Sequence, residues 1–165
     1  MKKNVIITSA ILIVLLGIYG MFTFLNSINN NQSILKRGNV IQQDFKEEIP
    51  FELENGWTII PVTINAKKYR FIYDTGALNI VSIELAKELN LTKIASSEGK
   101  SSTGKSNSID LATLPIVKIG DIEFENSTTA IVDIKSQFKC YQIDGLIGSN
   151  LMRNAVWQVN NRDST

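Results

Sequence analysis

From Ile49 onward the apolar residues fall in short alternating runs, whereas before Leu25 they are nearly continuous. Ile60, Val62 and Ile64 lie two apart, with Trp57 and Ile59 extending the run upstream. Tyr69, Phe71 and Tyr73 repeat the pattern after Asn65-Ala66-Lys67-Lys68. A period of two sets side chains on one face of a strand, so these runs predict a hairpin with a turn at 65–68. Its second strand leads directly into Asp74-Thr75-Gly76. Ser82 to Leu89 predicts a helix, with Ser82 able to cap it, Glu84 near its positive end and Asn90 able to end it. Further strands are predicted at Leu114–Ile119 and Ile122–Phe124 about a Gly120-Asp121 turn, at Thr128–Val132, and at Ala155–Val159. The Ser- and Gly-rich stretch from Ser96 to Ser108 reads as a loop. Many short strands with one or two short helices give an all-β class, a mainly β domain with a closed or sandwiched sheet.

The N-terminal run differs in kind. Lys2 and Lys3 precede an apolar stretch from Val5 to Leu25, broken only by Thr8, Ser9, Thr23, Gly17 and Gly20. At 1.5 Å per residue, about 21 residues span a hydrocarbon core of roughly 30 Å. A cleaved signal peptide has a shorter apolar region that ends in small residues, whereas here Phe24 and Leu25 close the run. The stretch therefore predicts an uncleaved transmembrane anchor over residues 1–25. The flanking lysines hold the N-terminus inside, which puts the rest of the chain outside the cytoplasmic membrane. Residues 26–48, rich in Asn and Gln and then charged, read as a polar tether. The β domain is expected over residues 49–165.

Composition then removes most chemistry. Seventeen basic residues against sixteen acidic leave a net charge of +1, without the basic excess of a nucleic-acid binder. No histidine is present, which excludes His-dependent triads and His-ligated zinc. Cys140 is the single cysteine, so there is no intrachain disulfide, Cys-rich metal site or CxxC pair. Without His to activate it, Cys140 reads as a small buried hydrophobe. Trp57 and Trp157 read as core or interface residues. No cofactor and no metal are expected, and catalysis falls to carboxylates, to Ser and Lys, or to a bound nucleotide.

Asp74-Thr75-Gly76-Ala77 is the strongest chemical candidate. A tripeptide of this kind arises by chance in roughly a few per cent of chains this long. Its position at the end of an apolar strand is more telling, because a turn there projects a carboxylate from a rigid scaffold. Gly76 lets backbone N–H groups approach that carboxylate with no Cβ in the way. Thr75 offers a hydroxyl that can bond to nearby backbone. The bland reading, an Asp in an ordinary turn, leaves unexplained a carboxylate costly if buried and idle if exposed. About seventy residues on, Asp144-Gly145-Leu146-Ile147-Gly148 puts two apolar residues before a glycine and is followed by Asn150-Leu151-Met152.

Together these motifs resemble the retropepsin-like aspartic proteases, a single-lobe family that includes bacterial membrane-anchored members. The resemblance covers about Ile49 to Asn160. It implies that Asp74 is the catalytic aspartate and that Leu146, Ile147 and Gly148 pack beside the loop and support it, along with Thr75, Gly76 and Ala77. It also implies a flap in the Ser/Gly-rich stretch, with Ser102, Thr103 and Gly104 as its candidate residues, although no aromatic falls among Ser101–Ser108. The implied activity is an endopeptidase that hydrolyses peptide or protein substrates by a water activated between two aspartates. Only one DTG is present, so the second aspartate comes from a homodimer or from a second lobe of a longer chain. A catalytically silent peptide-binding module on the same fold is the rival reading.

Gly99-Lys100-Ser101-Ser102-Thr103-Gly104-Lys105-Ser106 also fits the phosphate-binding pattern GxxxxGK[ST]. A nucleotide site of that kind needs a buried strand before it and a helix beginning at Gly-Lys-Ser. Here the lead-in is polar and Pro115 limits any helix. Asp144 and Asp133 lack a DTG-like setting and read as turn and strand-end residues.

Overall fold

The structure is a computed structural model that describes the backbone of residues 2–100 and 106–160 and the side chains of 12–27, 33–97 and 108–160. It divides into two compact units, residues 1–34 and residues 35–165. The first is a helix, α1 (Lys2–Leu35). Apolar side chains along it, among them Leu12, Phe22 and Leu25, are exposed. Among the described residues no helix is long and apolar enough to cross a membrane. The membrane-spanning assignment of residues 5–25 thus rests on the sequence.

The second unit carries β1 (Asn39–Val40), β2 (Glu52–Glu54), β3 (Trp57–Ile64), β4 (Lys67–Tyr73), β5 (Ile80–Ser82) and α2 (Ile83–Glu88). After these come β6 (Lys93–Lys100), β7 (Ser106–Thr113), β8 (Val117–Ile119), β9 (Ile122–Glu125), β10 (Thr128–Val132), β11 (Gly145–Ile147) and α3 (Ser149–Met152). The strands join one sheet in the order β1-β9-β8-β3-β4-β11-β5-β10-β7-β6, with β2 added to β3. This is a mainly β half-barrel. The expected closed sheet is corrected: the path is open, with β1 and β6 at its ends.

The β3–β4 hairpin forms as the alternation predicts, but its turn is tighter than expected. Asn65 and Ala66 alone make it, both at positive φ (50° and 63°), as a two-residue type I′ turn demands. Lys67 and Lys68 already belong to β4. α2 begins where its cap predicts, with Ser82 Oγ accepting from Leu85 N–H at 3.0 Å. The Gly120-Asp121 turn joins β8 and β9, but β8 starts only at Val117, since Pro115 cannot donate to a ladder.

Two expectations fail. Ala155–Val159 forms no strand. The stretch read as a loop from Ser96 to Ser108 instead contributes to β6 and β7, which pair antiparallel as far as Lys100 and Ser106. Serines there kept the period of two from showing. Within the segment read as a tether, Asn39–Val40 pairs with β9 and Phe45 packs against the core.

β3 and β4 bury one face along most of their length and the other only around Ile59 and Ile72, and their alternation sorts the core in two. Ile60, Val62, Ile64, Tyr69 and Phe71 fill the main cluster with Phe124, Ile147 and Leu151. Ile59 and Ile72 point the other way, into a smaller cluster with Ile134, Ile143 and Leu146. Each such fully buried side chain contributes roughly 1.5–3 kcal/mol of transfer free energy.

β11 threads between β4 and β5, parallel to the first and antiparallel to the second. It ends at Gly148, where an added Cβ would lie 2.1 Å from the carbonyl carbon of Leu78 and 2.5 Å from Asn79 N. Backbone cannot yield as a flexible side chain would. Gly148→Ala should therefore lower stability by more than about 3 kcal/mol, a large overpacking penalty. Urea unfolding of the full chain measures it, and a midpoint within error of the wild type would contradict this packing.

Candidate active site

β4 delivers Asp74 to the end of the sheet. The ladder holds one residue past the strand, because Asp74 N–H donates to Ile147 O at 3.0 Å. Beyond it the chain turns back on itself: Ala77 N–H donates to Asp74 O at 3.3 Å, and Gly76 N–H donates to Asp74 Oδ1 at 2.9 Å. The carboxylate is half-buried, and among the described residues this last bond is the one its oxygens accept. The glycine's role is smaller than its sequence suggests. A Cβ at Gly76 would sit 3.4 Å from Asp74 Oδ1, an ordinary contact. Thr75 is exposed and, among the described residues, its hydroxyl makes no backbone bond.

The Leu146-Ile147-Gly148 motif lies beside this loop. Ile147 pairs with Tyr73 and Leu146 with Ile72 across the parallel ladder. The tie continues through residues that sequence reasoning passed over. Gly148 N–H donates to Asn79 Oδ1 at 2.8 Å, and Asn79 N–H donates to Asn150 Oδ1 at 2.7 Å. Asn150 Nδ2 then donates to Thr128 O at 2.7 Å. Ser149 adds two bonds to Ala77 O, from its N–H at 2.9 Å and its hydroxyl at 3.0 Å. Asn79 and Asn150 are buried, and a buried amide is stable only when its donors and acceptors are matched. The available signal was an Asn five residues after Asp74 and another two after Gly148, each inside an apolar segment.

The candidate flap residues Ser102, Thr103 and Gly104 lie outside the described residues, between β6 and β7. The phosphate-loop pattern spanning 99–106 falls on this hairpin. Since Ser106 opens a strand where a nucleotide site needs a helix, that reading is corrected. Among the described residues, no group of carboxylates and cysteine is arranged to hold a metal ion. Cys140 is exposed, not the buried hydrophobe expected. Its neighbour Tyr141 turns toward β4 instead, where its carbonyl accepts from Arg70 Nη1. Asp144 is a structural residue: Oδ2 accepts from Arg70 N–H at 3.0 Å, and its own N–H donates to Arg70 O at 2.9 Å.

A groove of about 390 Å³ runs between residues 45–51 and 155–160, floored by Ile60 and Tyr73. Trp157 covers one end, stacked on Phe124 and tilted against Tyr73. Asp74 does not line it.

The sequence profile of the aspartyl protease family matches residues 60–151, which contain both the Asp74 loop and its Gly148 support. The chain belongs to that family. Among solved structures it is similar to a retropepsin-like aspartic protease from Rickettsia conorii, with a TM-score of 0.54 and 22% identity over 77% of this chain and 89% of that one. It also matches the retroviral protease-like domain of Ddi1 from Leishmania major, at a TM-score of 0.43 and 13% identity over 71% and 85% of the two chains. No curated protein matches it. The first likeness shows a retropepsin-like fold.

The asparagine network yields a direct test. Asn150→Ala strands Asn79 N–H and weakens the satisfaction of Thr128 O, at about 1–3 kcal/mol for each buried group left unpaired. A loss of roughly 2–4 kcal/mol is expected from urea unfolding of the full chain. A change below about 1 kcal/mol would show that water replaces these bonds.

Proposed function

We propose that the chain is an aspartic endopeptidase in which Asp74 supplies one of two catalytic aspartates. The observation that carries this is the setting of Asp74: a half-buried carboxylate at the tip of a locked loop, inside the region matched by the aspartyl protease family. A lone Asp ionises near pH 4 and cannot donate a proton at neutral pH. Two carboxylates a few Å apart cannot both ionise, so they share one proton, the known behaviour of aspartic-protease pairs. One then removes a proton from water while the other donates to the scissile carbonyl. The pair titrates as a unit.

The second aspartate comes from a second copy, with the two Asp74 loops meeting about a two-fold axis. A symmetric dimer is the commonest closed assembly, and it uses one patch twice. The apolar run from Val5 to Leu25 supports an anchor in the cytoplasmic membrane with the protease domain outside. Two chains held in one membrane would associate at a raised effective concentration.

Asp74→Asn keeps the shape and removes the ionisable group. It should abolish cleavage of peptide substrates while leaving the unfolding midpoint nearly unchanged. A statyl inhibitor, which mimics the tetrahedral intermediate, should block the wild type. Near-normal turnover by Asp74→Asn would sink the proposal, and a wild type that binds peptides without cleaving them would mark a silent binding module.

The dimer makes a separate prediction. Specific activity should rise with protein concentration, and excess Asp74→Asn chains should poison the wild type through inactive mixed dimers. Activity strictly proportional to a monomeric species would rule the shared site out.

A further inference from the structure

A second recess lies apart from the Asp74 loop, in the segment whose sequence reads as a tether. Just after α1, Lys36, Arg37, Gly38 and Asn39 line a cavity of about 410 Å³ together with Thr113 and Asn126. The ladder explains why these residues meet. Asn39 pairs with Glu125 across β1 and β9, which draws the residues before it alongside the bend at Asn126 and Ser127. Leu114 N–H donates to Ser127 O at 2.8 Å, bringing the end of β7 to the same bend.

Charge sets this recess apart. Its lining holds two cations, two amides and a hydroxyl, and no carboxylate. Elsewhere Lys67, Arg70, Lys93, Lys118 and Lys135 each reach a carboxylate. Lys36 and Arg37 are exposed, and among the described residues neither forms an ion pair. Glu125, opposite Asn39 in the ladder, does not line the cavity.

Behind the lining is an unmet hydrogen bond. Ser127 is fully buried, and its Oγ has no partner among the described residues. It lies against Gly38, where an added Cβ would come within 2.7 Å of that oxygen. Gly38 also holds φ at 117°, a region that side chains disfavour. A buried hydroxyl without a partner is costly, and a bound ion beside it is one way that natural sites offset the cost.

We propose that this recess binds a phosphate group, with Arg37 as its bidentate donor and Lys36 as a second cation. Arg suits the task because its planar fork donates two parallel bonds, whereas Lys acts as a point charge. The amides of Asn39 and Asn126 and the hydroxyl of Thr113 supply neutral donors around it. The helix length bears on the source. α1 continues past Leu25, where the apolar run ends, to Leu35, about 15 Å at 1.5 Å per residue. For an upright anchor this carries Lys36 beyond a headgroup layer roughly 5–8 Å thick, which favours a soluble phosphate ester over a lipid head. The inference is independent of the protease reading, and its test measures binding, not cleavage.

The full chain, held in neutral maltoside micelles at constant ionic strength, is titrated with inorganic phosphate and with glycerol 3-phosphate. Short-chain phosphatidic acid dispersed in the same micelles forms a third arm. Calorimetry should show saturable binding of at least one of the three. Replacing both cations, by Lys36→Gln and Arg37→Gln, should raise its Kd at least about tenfold, as loss of a charge-assisted hydrogen bond does. Arg37→Lys keeps the charge and loses the fork, so it too should raise the Kd. All three side chains replaced or retained here are solvent-facing, and circular dichroism checks that each variant is folded. Binding of either soluble probe supports a soluble ester as the ligand; binding of phosphatidic acid alone supports the site and assigns it to a lipid head. No saturable binding in any arm overturns the proposal. So does binding that survives the double replacement, or that Arg37→Lys leaves unchanged, because a diffuse positive surface does not distinguish the two cations.

Discussion

Two segments that lie about seventy residues apart in the chain are held against each other by backbone and amide groups. Ala77 and Asn79 follow the Asp74 loop, and Gly148, Ser149 and Asn150 follow β11. Gly148 packs so closely on Leu78 that no side chain fits between them, and the bonds through Asn79, Asn150 and Ser149 close the contact. The arrangement solves a backbone problem. Where a strand ends inside a fold, its polar groups lose water and need other partners. Here one buried amide serves Gly148 N–H, a second serves Asn79 N–H, and the surplus donor goes to Thr128 O on β10. The Asp74 loop, β11 and β10 are thereby locked together, and the carboxylate inherits that rigidity. Transition-state stabilisation depends on preorganised groups, so a carboxylate on a loosely held turn would serve poorly.

Much of this was legible from residue order. The alternation through Trp57–Ile64 and Tyr69–Tyr73 identified the hairpin because its apolar residues are large and its polar ones clear. Ser82 identified the start of α2 because a hydroxyl cap has a specific partner, here Leu85 N–H. Asp74 and Gly148 stood out through their neighbours. The hairpin at 93–113 did not, because Ser96, Ser97, Ser106 and Ser108 leave the tip-side halves of both strands without an apolar alternation to read. The sheet's openness was likewise invisible, since closure depends on how edge strands meet and not on any local pattern.

The asparagines were missed for a different reason. An Asn in an apolar segment reads as a turn or strand end, and only tertiary contact turns it into a buried connector. Arg70 is similar. Its position within Tyr69-Arg70-Phe71 marks it as a solvent-facing residue of an alternating strand, and it does face away from the main core. What sequence could not convey is that Glu52, Glu54 and Tyr141 converge on it from two other elements. Single residues and short motifs were readable; convergence across the fold was not.

The two faces of β4 therefore have different work. Tyr69, Phe71 and Tyr73 pack with the main core and fix the strand in the sheet. Arg70, Ile72 and Asp74 take the opposite face, where they hold the rim, support the smaller cluster and present the carboxylate. A slip of one residue in the β3–β4 register would exchange these sets, burying Arg70 and Asp74 in the main core and turning three aromatics outward. Burying two charges without partners costs far more than any local rearrangement could recover. The register is thus enforced by the same alternation that builds the site. The tight Asn65-Ala66 turn starts the count at the far end, and Asp74 is reached in a single phase. Placement of Asp74 follows from strand periodicity and turn length, with the glycine and asparagine lock needed only to hold its last step.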